Sequence, residues 1–265
     1  MSTVVGAGEA GRTTPAGRMR ALARAEWTLF LRNKGTLFAA LFVPLVLPFT
    51  ARSAADGMDL KEAGLNLGTV ILPSSIGFSL LFAVYMALVL AFVARREELV
   101  LKRLRTGEPR DAEILAGTSL PAVTTGLVQS LVLIIGCSVA FDLDAPPAPQ
   151  LAVIGLLLGV VMCAALAALT ASFSATTESA QVTSIPLMLI SFAGSGLAVP
   201  LEVLPDRVAL VCEFLPLTPA ITLVRGAWTG NLSAYEALGA VLAGLAWTVL
   251  SVFAVRRWFR WEPRR

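Results

Sequence analysis

Six long runs of this chain contain no charged residue, and they constrain its fold more than any other feature. The runs are 35–51, 63–94, 114–141, 145–177, 179–201 and 237–255. A membrane-spanning helix needs about 20 consecutive apolar residues, because the hydrocarbon core offers no water to the backbone N–H and C=O groups. Only 15% of the residues are charged and the mean hydropathy is +0.77, unlike a soluble domain. The sequence therefore predicts an all-α polytopic membrane protein with six transmembrane helices.

The six predicted spans lie inside these runs. We expect them at about 35–51, 72–94, 119–141, 151–173, 182–200 and 237–255. Pro121 is expected in the first turn of the third span, where its missing N–H costs nothing. The fourth span carries small residues, including Gly155 and Gly159. We expect them to let a neighbouring helix approach closely in lipid.

The distribution of Lys and Arg predicts the orientation. Six basic residues precede residue 35, six lie between 95 and 110, and five lie from 256 onward. The other four of the 21 are Arg52, Lys61, Arg207 and Arg225. Because short loops rich in Lys and Arg stay on the cytoplasmic side, both termini are predicted to be cytoplasmic. Residues 1–17 are expected to form a disordered tail and 256–265 a basic tail.

The segment 95–117 is a charged helical stretch between two charge-free runs. It begins RREELVLKRLRTGEP, and we expect its basic side chains to stay in water. Leu99, Leu101 and Leu104 leave a narrow apolar strip that can pack on protein or on lipid headgroups. For a generic membrane protein, a solvated loop with only a topological role is the simpler interpretation.

Residues 18–34 have the pattern of an amphipathic helix in the membrane interface. Arg20, Arg24, Thr28 and Arg32 recur at four-residue spacing on one face, opposite an apolar face. Glu26 lies beside the apolar face. A continuation of the first span is the alternative, but Arg32 and Lys34 interrupt the apolar sequence too closely for that.

The segment 201–232 is apolar but interrupted by prolines and charges. Val208–Leu215 and Ala220–Ala227 are too short to cross a membrane. We expect short re-entrant helices in the outer leaflet with breaks at Pro216 and Pro219. An ordinary amphipathic outer loop is the alternative.

The chain shows no constellation for catalysis. It contains no histidine, and none of its three lysines stands in a phosphate-binding glycine-rich loop. The paired carboxylates outside the spans are expected to lie in loops in water, and the predicted spans hold no charge of the kind that couples ions to transport. Basic clusters without interleaved aromatic residues do not indicate nucleic acid. We therefore expect no enzymatic activity, no metal site and no cofactor in this chain.

Three segments together resemble the membrane subunit of type-2 ATP-binding-cassette (ABC) exporters of the drug and natural-product resistance type. They are the amphipathic first helix, the loop RREELVLKRLRTGEP and the stretch SGLAVPLEVLPDRVALVCEFLPLTPAITLVRGAW. The resemblance covers nearly the whole chain. It implies a connecting helix at 18–34, a coupling helix within 95–117 that seats in a groove of a separate ATPase chain, and re-entrant outer helices within 201–232. It also implies a bacterial plasma membrane, with ATP and Mg²⁺ bound by the partner ATPase.

The resemblance assigns residues to these three segments. The coupling residues are Arg96, Glu97, Leu101, Lys102, Arg103, Leu104, Arg105 and Pro109. The connecting-helix residues are Arg24, Glu26, Trp27 and Arg32. The outer-motif residues are Ser195, Gly196, Pro200, Glu202, Leu204, Pro205, Glu213, Pro216 and Pro219. Leu101 and Leu104 are expected to anchor in apolar pockets of the ATPase, and this chain has Leu99-Val100 where many members have Gly-Thr.

The leading hypothesis is an exporter permease, in which two six-span subunits form a pathway driven by a separate ATPase. An uncharged lining from the first, second and fifth spans suits a hydrophobic small molecule or a lipid. Export of a glycan or polymer is the alternative within the family. A membrane scaffold or sensor with a basic docking loop, and an ion-coupled secondary transporter, are alternatives from other classes. The partner copy is either a second copy of the chain or a paralogous permease.

Overall fold

A computed structural model of the chain describes residues 14–32, 34–35, 38, 42, 46, 66–106, 110–259 and 261–262. Every regular element in these ranges is helical, which confirms the predicted all-helical class. The elements are α1 (Pro15–Arg32), α2 (Leu67–Ser79), a π-helical segment (Leu80–Met86), α3 (Ala87–Glu97), α4 (Val100–Arg105), α5 (Asp111–Ala140), α6 (Pro149–Phe173), α7 (Thr177–Gly194), a 3₁₀ turn (Leu201–Val203), α8 (Asp206–Glu213), α9 (Thr218–Thr229) and α10 (Ala234–Trp258).

Four of the described helices are long and apolar enough to cross a membrane. They are the continuous helix Leu67–Glu97, which joins α2, the π-helical segment and α3, and the helices α5, α6 and α10. The pair α8 and α9 bends by 110° at a short break and would make a fifth span if it crosses as one unit. The protein is therefore a multi-pass membrane protein. Most of the predicted first span, 35–51, lies outside the described residues, and α7, which contains most of the predicted fifth span, is not among these candidates. The count of six spans therefore stays a prediction.

The helix α5 begins ten residues before Pro121, so the expectation that Pro121 occupies a first helical turn is wrong. Asp111 and Glu113 lie in the true first turn, where carboxylates interact favourably with the helix dipole. The Glu113 carboxylate also accepts the backbone N–H of Arg110 at 3.1 Å. These local interactions start the helix early, and Pro121 is accommodated inside it.

The packing centre of the fold lies between α6 and α9. A Cβ atom at Gly155 would lie 2.8 Å from the Ala220 carbonyl oxygen, and one at Gly159 would lie 2.7 Å from a methyl carbon of Leu80. Both distances are too short for a real side chain, so these glycines allow α6 to contact its neighbours directly. The predicted role of small residues in the fourth run is confirmed.

One end of the helix bundle gathers α1, α4 and the residues after α10, and we call it the charged end. Arg18 of α1 pairs with Glu113 of α5 at 3.2 Å. Lys102 of α4 pairs with Glu262 at 2.9 Å. The three segments predicted from their basic residues to share one side of the membrane therefore lie at the same end of the bundle.

Candidate functional site: a charged junction between helices

Four consecutive residues, Arg95 to Glu98, connect α3 to three other helices, and we call them the charged junction. The Arg95 guanidinium donates to both carboxylate oxygens of Glu26 in α1, at distances of 2.9 to 3.2 Å. It also donates to Glu98 at 3.0 Å. The side chains of Arg95 and Glu26 are only 14% and 10% exposed. A bidentate pair with so little exposure fixes geometry far better than a surface ion pair does.

Arg96 binds the end of α6. Its side chain is 1% exposed and donates to the carbonyl oxygens of Ala171, at 2.9 Å, and of Ser174. The last carbonyl groups of a helix have no partner within the helix and carry a partial negative charge. Arg96 therefore satisfies these groups and attaches the end of α3 to the end of α6.

Glu97 contacts the beginning of the next helix. Its carboxylate accepts the backbone N–H of Thr177, the first residue of α7, at 3.3 Å. A negative charge suits a helix N-terminus as a positive charge suits a C-terminus. Arg96 and Glu97, adjacent in sequence, therefore hold the two sides of the turn between α6 and α7.

The junction corrects one expectation. The basic residues of the segment 95–117 were expected in water, but Arg95 and Arg96 are buried or nearly so. Glu26, expected beside the apolar face of α1, is buried as well. The partner of Arg95 lies 69 residues away in sequence, and that of Arg96 lies 75 residues away. Because periodicity reports only on neighbours along one helix, it could not reveal these partners.

Two residues of the predicted coupling set face inward. Leu101 is fully buried in its own chain, and Arg96 is occupied at the end of α6. In this arrangement Leu101 offers no exposed side chain to an apolar pocket of an ATPase, and the coupling role of both residues stays a prediction. Leu101 instead anchors α4 to the bundle, because burying a leucine side chain contributes about 2 kcal/mol.

The outer surface of α4 is basic. Lys102, Arg103 and Arg105 are exposed, and Leu104 is half-buried. Arg105 pairs with Asp111 at 3.3 Å and lies 5.1 Å from the ring centroid of Trp261. Arg103 has no ion pair with any residue that the structure describes. Pro109 lies outside the described residues.

The connecting-helix residues divide into one buried member and three others. Only Glu26 joins the charged junction, through its bond to Arg95. Arg24 and Arg32 are exposed, and Trp27 is half-buried with its ring 5.9 Å from that of Phe30.

A second cluster forms at the other end of the bundle around Arg225 of α9. This side chain is 3% exposed, pairs with Glu202 at 3.0 Å and donates to the Gly196 carbonyl at 2.7 Å. Gly196 has φ +75°, and a Cβ there would lie 3.2 Å from the Arg225 guanidinium. The position thus favours glycine twice, by conformation and by space. Arg225 was assigned only to an outer loop, although a lone arginine within ITLVRGAW was a signal of a buried partner.

The remaining outer-motif residues line the turns around this cluster. Ser195, Pro200, Pro216 and Pro219 are buried, Leu204 is half-buried, and Pro205 and Glu213 are exposed. Pro219 lies in the first turn of α9, after the bend that separates α9 from α8. The structure therefore brings Gly196 and Glu202 together through Arg225, but not Glu213 or Pro205.

Between residues 68 and 90, the long helix Leu67–Glu97 is buried except for one stripe. Ser74, Phe78, Phe82, Met86 and Leu90 are half-buried at a constant spacing of four residues. Four residues exceed one α-helical turn, so a four-residue stripe drifts around a pure α-helix; the wider turns of the π-helical segment offset that drift. The aromatic members stack at 4.3 Å between ring centroids. This stripe is therefore the partly accessible face of the helix between residues 68 and 90.

The fold and these sites define a class: a multi-pass membrane protein in which a basic helix between two spans is fastened to the helix bundle. A family model described as ABC-2 type transporter matches residues 18–228, which is most of the chain. The chain belongs to the ABC-2 type transporter family, and the predicted resemblance to an ABC-2 permease is confirmed. Permease domains of this family generally work with an ATPase subunit and often dimerise. No curated protein was found to match the chain.

Proposed function

We propose that this chain is the permease subunit of an ATP-driven exporter of a hydrophobic small molecule, such as a drug or natural product, or of a lipid. A separate ATPase chain binds ATP and Mg²⁺ and supplies the energy, and this chain hydrolyses nothing itself. A second copy or a paralogous permease completes the pathway. The charged junction is the observation that carries the proposal, because it ties the end of α3, which leads directly into the basic helix α4, to α1, α6 and α7 at once.

The junction supplies a mechanical route from α4 into the membrane. A partner that displaces α4 moves the end of α3, and Arg95, Arg96 and Glu97 pass that displacement to three further helices. Packed helices slide or rock as units instead of deforming continuously. ATP-driven closure of the partner would therefore change the positions of whole helices around the pathway.

Arg103 is the leading contact for an acidic groove on the ATPase. It is exposed on α4 and has no ion pair with a described residue, whereas Lys102 pairs with Glu262 and Arg105 with Asp111. An unpaired surface charge can pair with a partner without first breaking an internal bond. Charge complementarity of this kind selects the partner and speeds association.

The half-buried stripe supports a hydrophobic cargo. Phe78 contacts Phe192 of α7 edge to face, with 5.9 Å between ring centroids, so the second and fifth predicted spans share one aromatic surface. The stripe contains Ser74 as its only polar residue. Uncharged aromatic and aliphatic linings bind hydrophobic ligands, and sugars require more hydrogen-bonding groups.

The test is transport-coupled ATP hydrolysis in vesicles that contain the permease and its ATPase. We expect Arg103→Glu to lower the stimulation of ATP hydrolysis by the permease at least tenfold, because it reverses the docking charge. Arg257→Glu is the matched control, since Arg257 is also an exposed arginine at the charged end. It should leave the stimulation unchanged.

Three results would contradict the proposal. Full stimulation with Arg103→Glu would remove the docking role of α4. Transport that persists without ATP would indicate an ion-coupled transporter, and a native partner without nucleotide-binding motifs would indicate a scaffold or sensor. Transport of a glycan would contradict only the proposed hydrophobic class of substrate and would leave the permease role intact.

A further inference from the structure

A cavity of about 580 Å³ opens at the charged end of the bundle, between α5, α6 and α10. Its volume falls within the range of about 300 to 1,000 Å³ that small-molecule sites occupy. The charged junction does not line it, and neither does the half-buried stripe of the long helix. It therefore needs an explanation separate from the coupling role.

The inner part of the cavity is apolar. Leu115 and Ala116 of α5, Ala164 of α6 and Val252 of α10 contribute to its walls. The alanines have short side chains, which leave a groove between the three helices. Val252 is 40% exposed and lies in a helix long and apolar enough to cross a membrane. The groove thus suits a hydrocarbon chain.

The mouth of the cavity is basic. Arg110 precedes α5, Arg256 lies in the last turn of α10, and both are exposed. The one acidic residue of the lining, Asp111, pairs with Arg105 at 3.3 Å. Nearby Glu113 contacts the Arg110 backbone and pairs with Arg18. The carboxylates around the mouth are thus matched by other arginines, which leaves an excess of positive charge.

We infer that this groove is a binding site for an anionic phospholipid. The acyl chain occupies the apolar groove, and the phosphate lies between Arg110 and Arg256. Trp261 also lines the cavity, and tryptophan favours the boundary between hydrocarbon and headgroups. Basic pockets between membrane helices recognise anionic headgroups through the same charge complementarity. This inference does not depend on an ATPase partner.

A second copy of the chain is a less suitable occupant. A two-fold interface at this face would place two Arg110 and two Arg256 side chains close together. Like charges in contact are unfavourable, and no excess of acidic residues at the mouth offsets them. A phospholipid brings the missing negative charge and the hydrocarbon in one molecule.

Native mass spectrometry of the full chain tests the site. Protein equilibrated with equal amounts of phosphatidylglycerol and phosphatidylcholine should retain phosphatidylglycerol preferentially. The double variant Arg110→Gln/Arg256→Gln should bind phosphatidylglycerol about 30-fold more weakly. Each arginine near an anionic membrane surface contributes about 1 kcal/mol, and the loss of about 2 kcal/mol corresponds to that factor in affinity. Arg257→Gln, the matched control one residue along α10, should bind as the unaltered chain does.

A second variant tests the apolar groove. Ala116→Trp fills it from an exposed position of α5, so we expect loss of retained lipid without loss of the folded state. Val132→Trp, at another exposed position of α5, should retain lipid. Equal phosphatidylglycerol retention in the double variant and the unaltered chain would overturn the site. An equal loss with Arg257→Gln would also overturn it, and displacement by excess inorganic phosphate would show an anion site instead of a lipid site.

Discussion

Arg95 has two acidic partners that differ in burial. The Glu26 side chain is 10% exposed, whereas that of Glu98 is 58% exposed. We expect Glu26→Gln to lower the free energy of unfolding by about 2 to 3 kcal/mol, because it removes the buried countercharge of a nearly buried guanidinium and leaves only the exposed Glu98. Glu98→Gln should cost less than about 1 kcal/mol, since water replaces an exposed partner. Denaturation in mixed micelles measures both values.

Both variants replace a glutamate partner of Arg95 with glutamine, so the difference between their unfolding free energies reports how the burial of the two glutamates differs. Equal costs for the two variants would mean that the pair between α1 and α3 is no stronger than a surface contact. The route from α4 to α1 through the charged junction would then lose its support.

At the scale of elements, the turn between α3 and α4 contains a strained residue. Leu99 has φ 59° and ψ 14°, a left-handed conformation that costs a residue with a Cβ about 1 to 2 kcal/mol and costs glycine nothing. We expect Leu99→Gly to raise the free energy of unfolding by about 1 kcal/mol, because glycine adopts this conformation without strain. The loss of the leucine contacts offsets only part of the gain, since this side chain is 39% exposed.

Leu131→Gly is the matched control for this turn. Leu131 is 57% exposed but lies inside α5, where glycine is unfavourable by about 1 kcal/mol relative to good helix formers. The two variants should therefore shift the thermal midpoint in opposite directions. A fall in both midpoints would show that the turn is not strained.

At the scale of the whole molecule, α10 tests the orientation. Its 25 residues extend about 37 Å, which exceeds the hydrocarbon thickness of about 30 Å. Tyr235 and Arg257 lie near its two ends, and both are exposed. In a background with the three native cysteines replaced, Tyr235→Cys should react with an impermeant maleimide applied outside cells. Arg257→Cys should react only after the membrane is opened.

Arg103→Cys in α4 provides the internal reference, because α4 and the end of α10 lie at the same end of the bundle. Labelling of Arg103→Cys from outside would reverse the predicted orientation. Labelling of Tyr235→Cys and Arg257→Cys from the same side would instead show that α10 does not cross the membrane.

The sequence alone determined the class of structure. Charge-free runs must become helices that satisfy their own backbone groups in lipid, and the clustered arginines predict one shared side. The residues of the RREE stretch and the SGLAVPLE stretch also pointed to the family that the match over 18–228 then showed. These signals are local in sequence, so a single chain is enough to reveal them.

The tertiary structure alone decided what the charged residues do. Whether an arginine is solvated or buried depends on partners such as Glu26, Ala171 and Gly196, which lie 29 to 75 residues from the arginines they bind. No periodicity encodes such distances. The long-range packing of α1, α3, α6 and α7 supplies the partners of Arg95, Arg96 and Glu97, which the sequence placed in a coupling segment with its basic side chains in water. Buried charges must find partners wherever the fold places them.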